Sequence, residues 1–154
     1  MPEARPSQTY ETIAARTAAH RLEIFGAFHP RPEDGAPAGV ATLLLLGPAE
    51  PGFWSHVTAE PEFADGTPDP LDRWSRRVIG RMACDLRAKA VFPFAGPPWH
   101  PFIAWAKRSG RAWESPVRFL VHDRAGLMVS YRGALGLRER IALPSPPSAP
   151  PCAT

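Results

Sequence analysis

Cysteine is nearly absent from this chain: Cys84 and Cys152 are the two in 154 residues. That is too few for a disulfide framework, and a reduced compartment fits. Long hydrophobic runs are missing as well. The longest, Val40–Leu46, has strand length, far short of the ~18 residues of a membrane span. Met1–Ser7 is polar and contains two prolines rather than a charged-then-apolar leader, so the cytoplasm is the expected compartment. His20, His29, His56, His100 and His122 form no H-x-x-x-H or H-E-x-x-H pair, and the cysteines form no C-x-x-C, which removes the common metal signatures. G-x-G-x-x-G and Walker A loops are also lacking, against a classical dinucleotide or nucleotide site. The basic residues behind the net charge of +3 are nearly all arginine and are scattered. Nucleic-acid binders cluster them beside aromatic platforms, so neither nucleic acid nor membrane is an expected partner.

Proline is what the chain has in excess, 20 residues, well above the usual ~5%. The prolines mark boundaries. Residues 1–8 read as a flexible arm, 9–143 as one α/β domain and 144–154 as a proline-rich linker or tail. Ser7 or Thr9 caps a helix reaching about Arg21. Leu22–Phe28 reads as a strand with Leu22, Ile24, Gly26 and Phe28 alternating against Glu23 and Phe25. Val40–Leu46 shows no alternation, as expected of a central strand buried on both faces. A short helix spans Phe53 to about Glu60. Asp69 as N-cap and Pro70 as first residue start a long helix ending near Lys89. Leu71, Trp74, Val78, Ile79, Met82 and Leu86 form its apolar stripe, with Arg73, Arg77 and Arg81 opposite. Ala90–Phe94 is a further strand, and a helix from Pro101 to Gly110 turns Phe102, Trp105 and Ala106 inward. Val117–His122 and Leu127–Arg132 are expected to pair as a hairpin about Gly126, and Leu137–Leu143 to add a short last strand. The order predicts a mixed or mostly antiparallel sheet flanked by helices.

Two places hold candidate chemistry. In the expected hairpin, His122 and Arg132 stand near opposite ends of paired strands, with Ser130 on the arginine's face and Tyr131 beside it. Such a pair binds an anionic group or orients a cofactor amide; equally, the histidine satisfies turn groups and the arginine lies exposed. In the loop Phe94–Phe102, Gly96 permits close backbone approach, and Pro97-Pro98 stiffens a presentation of Trp99 and His100. This suits the wall of a flat-ligand pocket or a packed loop that positions the next helix. Cys84, on a basic helix face, has no histidine or aspartate that the sequence places as its catalytic partner; an inert buried thiol is the commoner case. No catalytic residue is assigned.

FPFAGPPWHPFIAW (92–105) and SPVRFLVHDRAGLMVSYRGALGLRERIALP (115–144) resemble the amino-terminal part of a bacterial ferredoxin-type protein family. There a small α/β domain precedes a proline-rich bridge and iron–sulfur cysteines. More distantly, His122, Gly126 and Arg132-Gly133 are similar to the cobalamin-binding region of cobalamin-processing chaperones, epoxyqueuosine reductases and reductive dehalogenases, although Asp123 replaces a frequent proline and Leu127 a frequent aromatic. The resemblance implies a nitroreductase-like fold and a cofactor- or substrate-binding domain, inactive by itself, of a ferredoxin-associated redox protein. It implies cobalamin or flavin mononucleotide (FMN) as cofactor, held by Gly96, Trp99, His100, His122, Gly126, Ser130, Tyr131 and Arg132. An iron–sulfur cluster belongs only to a longer form, in which Cys152 aligns with the first cysteine of a C-x₂-C-x₂-C-x₃-C module. The implied partners are a small molecule and a ferredoxin-type protein, with the chain a monomer or homodimer. A non-catalytic protein-interaction domain and a flavin-dependent reductase are the alternatives.

Overall fold

The computed structural model describes residues 8–127 and 129–147. Cys152, Met128 and most of the expected arm and tail therefore lie outside the described residues. Helix α1 (Tyr10–Ala18) starts at a reciprocal cap: Thr9 Oγ accepts from the Thr12 amide, and Thr12 Oγ accepts from the Thr9 amide. Strands β1 (Leu22–Phe28) and β2 (Thr42–Pro48), helix α2 (Phe53–Val57) and helix α3 (Pro70–Leu86) follow. Then come β3 (Lys89–Val91), α4 (Phe102–Arg108), β4 (Ala112–Glu114), β5 (Leu120–His122) and β6 (Gly133–Leu137). Four strands form an antiparallel sheet in the order β1-β2-β6-β3, and β4 and β5 form a separate pair. The mixed α/β class with a mostly antiparallel sheet is therefore as expected.

The leucines of β2 explain why its sequence does not alternate. Leu44 and Leu46 join Ile13, Val57, Trp74 and Ile79 in a core beneath α1, α2 and α3. Leu43 and Leu45 join Phe102, Trp105 and Ala106 of α4 on the other face. All four leucines are fully buried, so β2 is the central strand, two residues later than expected.

Several expectations need correction. The alternation in β1 breaks at a bulge between Ile24 and Gly26. Phe25 is the extra residue and is itself buried, so Gly26 and Phe28 fall opposite Leu45 and Leu43 while Leu22 and Ile24 belong to the other face. Asp69 does not cap α3 with its side chain, because it sits at φ 56°. Arg73 organises that turn instead, donating to the carbonyls of Glu62, Thr67 and Pro68 and to the Asp65 carboxylate at 2.7 Å. Arg77 pairs with Glu62 and Glu60. Helix α3 ends at Leu86, α2 at Val57 and β3 at Val91, each short of its expected end. The last strand is Gly133–Leu137 rather than 137–143. Past it, Ile141 is buried and its carbonyl bonds His29 Nε2, while Pro144–Pro147 runs exposed over the surface.

Candidate functional site

Among the described residues the expected hairpin does not form. Residues 120–122 pair with β4, Ala112 opposite His122 and Glu114 opposite Leu120. The connecting turn is closed by the Ser115 amide to Phe119 O, 2.7 Å, and by the Phe119 amide to Ser115 Oγ, 3.1 Å. After His122 the chain turns tightly, Gly126 at φ 62°, and makes a single bridge back from Gly126 to His122. It then leaves toward the main sheet, where the Arg132 amide donates to Leu46 O at 2.8 Å. Sheet and helix together capture this return segment. Arg132 reaches α3, with Nη2 2.6 Å from Asp72 Oδ1 and Nε 3.1 Å from Ser75 Oγ, and Tyr131 packs against the α4-side core.

Between this segment and α4 lies an open groove of ≈ 610 Å³. Pro93, Phe102 and Ile103 form one wall; Phe119 and Leu120, then Leu127 and Val129–Tyr131, form the other. Among the described residues Ser130 and Tyr131 are its only polar lining residues, and none is charged. Ile103, Phe119 and Leu127 stand at its mouth with 62–64% of their surface exposed. Large apolar side chains this exposed, gathered on one patch, mark a surface that something covers.

The eight residues named from sequence divide unevenly around this groove. Ser130 and Tyr131 line it. Arg132 is committed to Asp72 and Ser75 and sits 5.5 Å over the Phe94 ring, away from the lining. Trp99 is exposed and folds back on its own loop, where a Cβ on Gly96 would lie 2.5 Å from its ring. The bare Gly96 thus leaves room for the Trp99 ring. The His100 ring lies 5.7 Å from that of the buried Trp105. Gly126 makes the turn. Cys84, expected to be buried, is exposed.

His122 is fully buried and guards the edge of β1. Its Nε2 lies 2.6 Å from Phe25 O, and Arg111 Nη1 donates to the neighbouring Ile24 O at 2.9 Å. The two carbonyls at the β1 bulge are thereby satisfied without a further strand, which protects an open sheet edge. Burial holds the His122 pKa below its ordinary value, opposed by its bond to Phe25 and the charge of Asp123. Burial likewise pushes the Tyr131 phenol well above its ordinary value. The Tyr131 hydroxyl has no protein partner among the described residues.

Sequence reading missed the groove's apolar walls, although one signal was present. Ile103 is a large apolar residue off the inward stripe of Phe102, Trp105 and Ala106, and it ends up exposed at the groove. Among the described residues no helix is long and apolar enough to cross a membrane. No protein-family model, curated protein or solved structure matches the chain.

Proposed function

We propose that the chain is a small-molecule-binding domain, holding the uncharged, apolar face of a flat ligand in the groove between α4 and residues 127 and 129–131. One observation carries this reading. A concavity of ≈ 610 Å³, walled among the described residues by seven apolar side chains with Ser130 and Tyr131 on one side, has the size and composition of a ligand pocket. The apolar wall supplies burial, and Ser130 gives a hydroxyl that donates or accepts at the ligand's edge. Because none of the described residues lining the groove is charged, a charged appendage such as the FMN phosphate would stay at the open mouth in solvent. The assignment to a ferredoxin-associated redox protein rests on the resemblance of residues 92–105 and 115–144, not on the groove. In that setting the bound cofactor supplies the electron chemistry and the protein its orientation.

Titration of cobalamin, FMN and riboflavin into the purified chain, to about millimolar ligand, followed by absorbance and tryptophan fluorescence, tests the reading. Saturable binding that Ile103→Glu or Leu127→Glu weakens about tenfold, near 1.4 kcal/mol, supports it. Both side chains are exposed, so these variants should fold. Trp99→Ala and Arg132→Ala, natural ligand variants on the sequence alone, are redrawn by the geometry. Trp99→Ala becomes a neutral control, and Arg132→Ala a stability variant. A second reading, a protein-interaction domain, draws on the exposure of Ile103, Phe119 and Leu127 at the mouth. Failure of all three ligands to bind would favour it.

A further inference from the structure

His122 stands where β5 turns into the groove wall, and its two ring nitrogens are fully engaged. Nδ1 accepts from the amides of Arg124 and Ala125, each at 3.1 Å, and Nε2 faces the Phe25 carbonyl. With two N–H donors aimed at it, Nδ1 has no room for a proton. The proton therefore sits on Nε2 and is donated to Phe25 O, so the neighbours fix the tautomer. One acceptor also waits beside Nδ1: Asp123 Oδ1, at 3.2 Å. A neutral ring can hold the two turn amides, and a doubly protonated ring can hold Asp123, but Nδ1 cannot do both.

We propose that His122 is a proton-operated latch on the groove. Neutral, it closes the turn 123–126 by accepting the Arg124 and Ala125 amides. When Nδ1 takes a proton from solvent, the two amides are expelled and Nδ1–H donates to Asp123. The turn then loosens, and with it Leu127 and Val129–Tyr131, which follow it in the chain. Those residues belong to one wall of the groove, so acidification opens the groove and releases its occupant; this last step rests on the ligand-binding reading above.

The charged groups around the ring set where the latch works. Asp123 and Arg124 come from the turn itself, Arg111 from the segment before β4, and Glu23 from β1. Arg111 pairs with Asp123 at 3.1 Å and Arg124 with Glu23 at 2.9 Å, so each acid is already partly neutralised. Burial is the largest influence and holds the ring neutral below the ordinary histidine range, with Arg111 acting in the same sense and Asp123 and Glu23 opposing. The Phe25 ring packs on the imidazole without charge, 4.6 Å away.

The test is a nitrogen-15 NMR titration of the whole chain from about pH 7.5 to about pH 4.5. The expected result is an Nε2–H tautomer at neutral pH and a His122 midpoint below 6.5. The Arg124 and Ala125 amides should lose hydrogen-exchange protection along the same curve, while those of β2 keep theirs. In His122→Asn the side-chain oxygen can still cap the turn as an Asx-turn, and protection there should become independent of pH. Should that variant not fold, Asp123→Asn gives a second reading, because loss of the carboxylate's charge beside Nδ1 should lower the midpoint. The proposal is overturned if the two amides stay protected while His122 titrates, or if His122 stays neutral throughout. An unchanged loss of protection in His122→Asn, or an unmoved midpoint in Asp123→Asn, overturns it too. For a ligand that binds at pH 7, affinity should fall along the His122 titration curve in the parent chain and by less than about twofold in His122→Asn. Absence of any ligand at pH 7 counts against the groove reading alone, because the amide titration needs no ligand.

Discussion

Gly47→Ala is expected to destabilise the protein by about 2 kcal/mol and to disturb the groove together with the core. Gly47 lies on β2 opposite Glu23 of β1. A Cβ added there would come closer than 3.0 Å both to the Phe25 ring and to the carbonyl oxygen of Ser130. The ring can tilt only against Tyr131, 6.2 Å away, and against His122, 4.6 Å away, while the carbonyl is backbone and has no rotamer to change. Overpacking of this kind costs about 1–3 kcal/mol. Replacing a strand glycine returns about 0.5–1 kcal/mol of chain entropy. Two simultaneous clashes, one with backbone, place the gross cost near the top of its range and the net near 2 kcal/mol. For a domain of this size that lowers Tm by about 4–8 °C. Ser130 belongs to the groove, so a bound ligand should also weaken. The comparison variant is Gly80→Ala on α3, where a Cβ meets nothing within 4 Å; it should raise stability by about 0.5–1 kcal/mol through helix propensity. Thermal and guanidinium unfolding of both variants provide the measurement. A Gly47→Ala protein melting at or above the parent, with Gly80→Ala behaving as expected, would refute the close packing of Phe25 and Ser130 on β2.

Other perturbations follow from the same geometry. Ile79→Ala, which truncates a fully buried side chain beneath α3, should cost about 2–5 kcal/mol in a denaturation curve; a loss below about 1 kcal/mol would place it outside the core. Arg132→Ala leaves the Asp72 carboxylate and Ser75 without their shared donor and should cost about 1–2 kcal/mol, Asp72 being partly exposed. Arg132→Lys should recover little of this, because one ammonium cannot reproduce the fork. The Asp65 carboxyl, held by the Arg73 side chain, titrates at about 2. Its folded pKa is depressed, so its contribution to stability is present above the ordinary carboxylate pKa and is lost as pH falls through about 2. Carbon-13 detection should show Arg73→Ala moving Asp65 back toward the usual range, the Thr67 amide at 2.8 Å still holding it partly down.

What could be read from the sequence was long-period pattern. The stripe of α3 survives, with Trp74, Val78, Ile79 and Met82 buried, because 17 helical residues give the period several turns in which to show itself. The bounds of β1 and the two-sided burial of β2 were legible for the same reason. The pairing of β5 was not. Three residues carry one alternation, equally compatible with β4 and with the segment after Gly126. The choice is settled by what Tyr131 and Arg132 gain at the α4-side core and at Asp72, contacts remote in sequence. The candidate site was half legible. Ser130 and Tyr131 line the groove, but the polar residues that looked most like chemistry, His122 and Arg132, are consumed by a strand edge and a helix. The groove is built from apolar residues of separate short segments, none long enough to display a face. Asp69 shows how local geometry overrides a cap signal: at φ 56° its side chain makes no capping bond.

The four leucines of β2 have a consequence for how the chain finds its own alignment. Leu43–Leu46 offers the same side chain to both faces, so nothing in it distinguishes one pairing offset from the next. The distinction lies across the ladder, in the Gly-Ala-Leu-Gly-Leu of β6. Gly136 opposite Leu43 leaves space for Val40, and Gly133 opposite Leu46 leaves space for Ile79. An offset of one residue either way sets Leu135 or Leu137 where Gly136 belongs, against Val40. An offset of two sets Leu135 or Tyr131 where Gly133 belongs, against Ile79. Every near-miss pairing thus meets a bulky side chain in a space that fits only hydrogen. The glycines of β6 act as stops that discriminate against misaligned sheets, a selectivity that the uniform leucine strand cannot provide for itself.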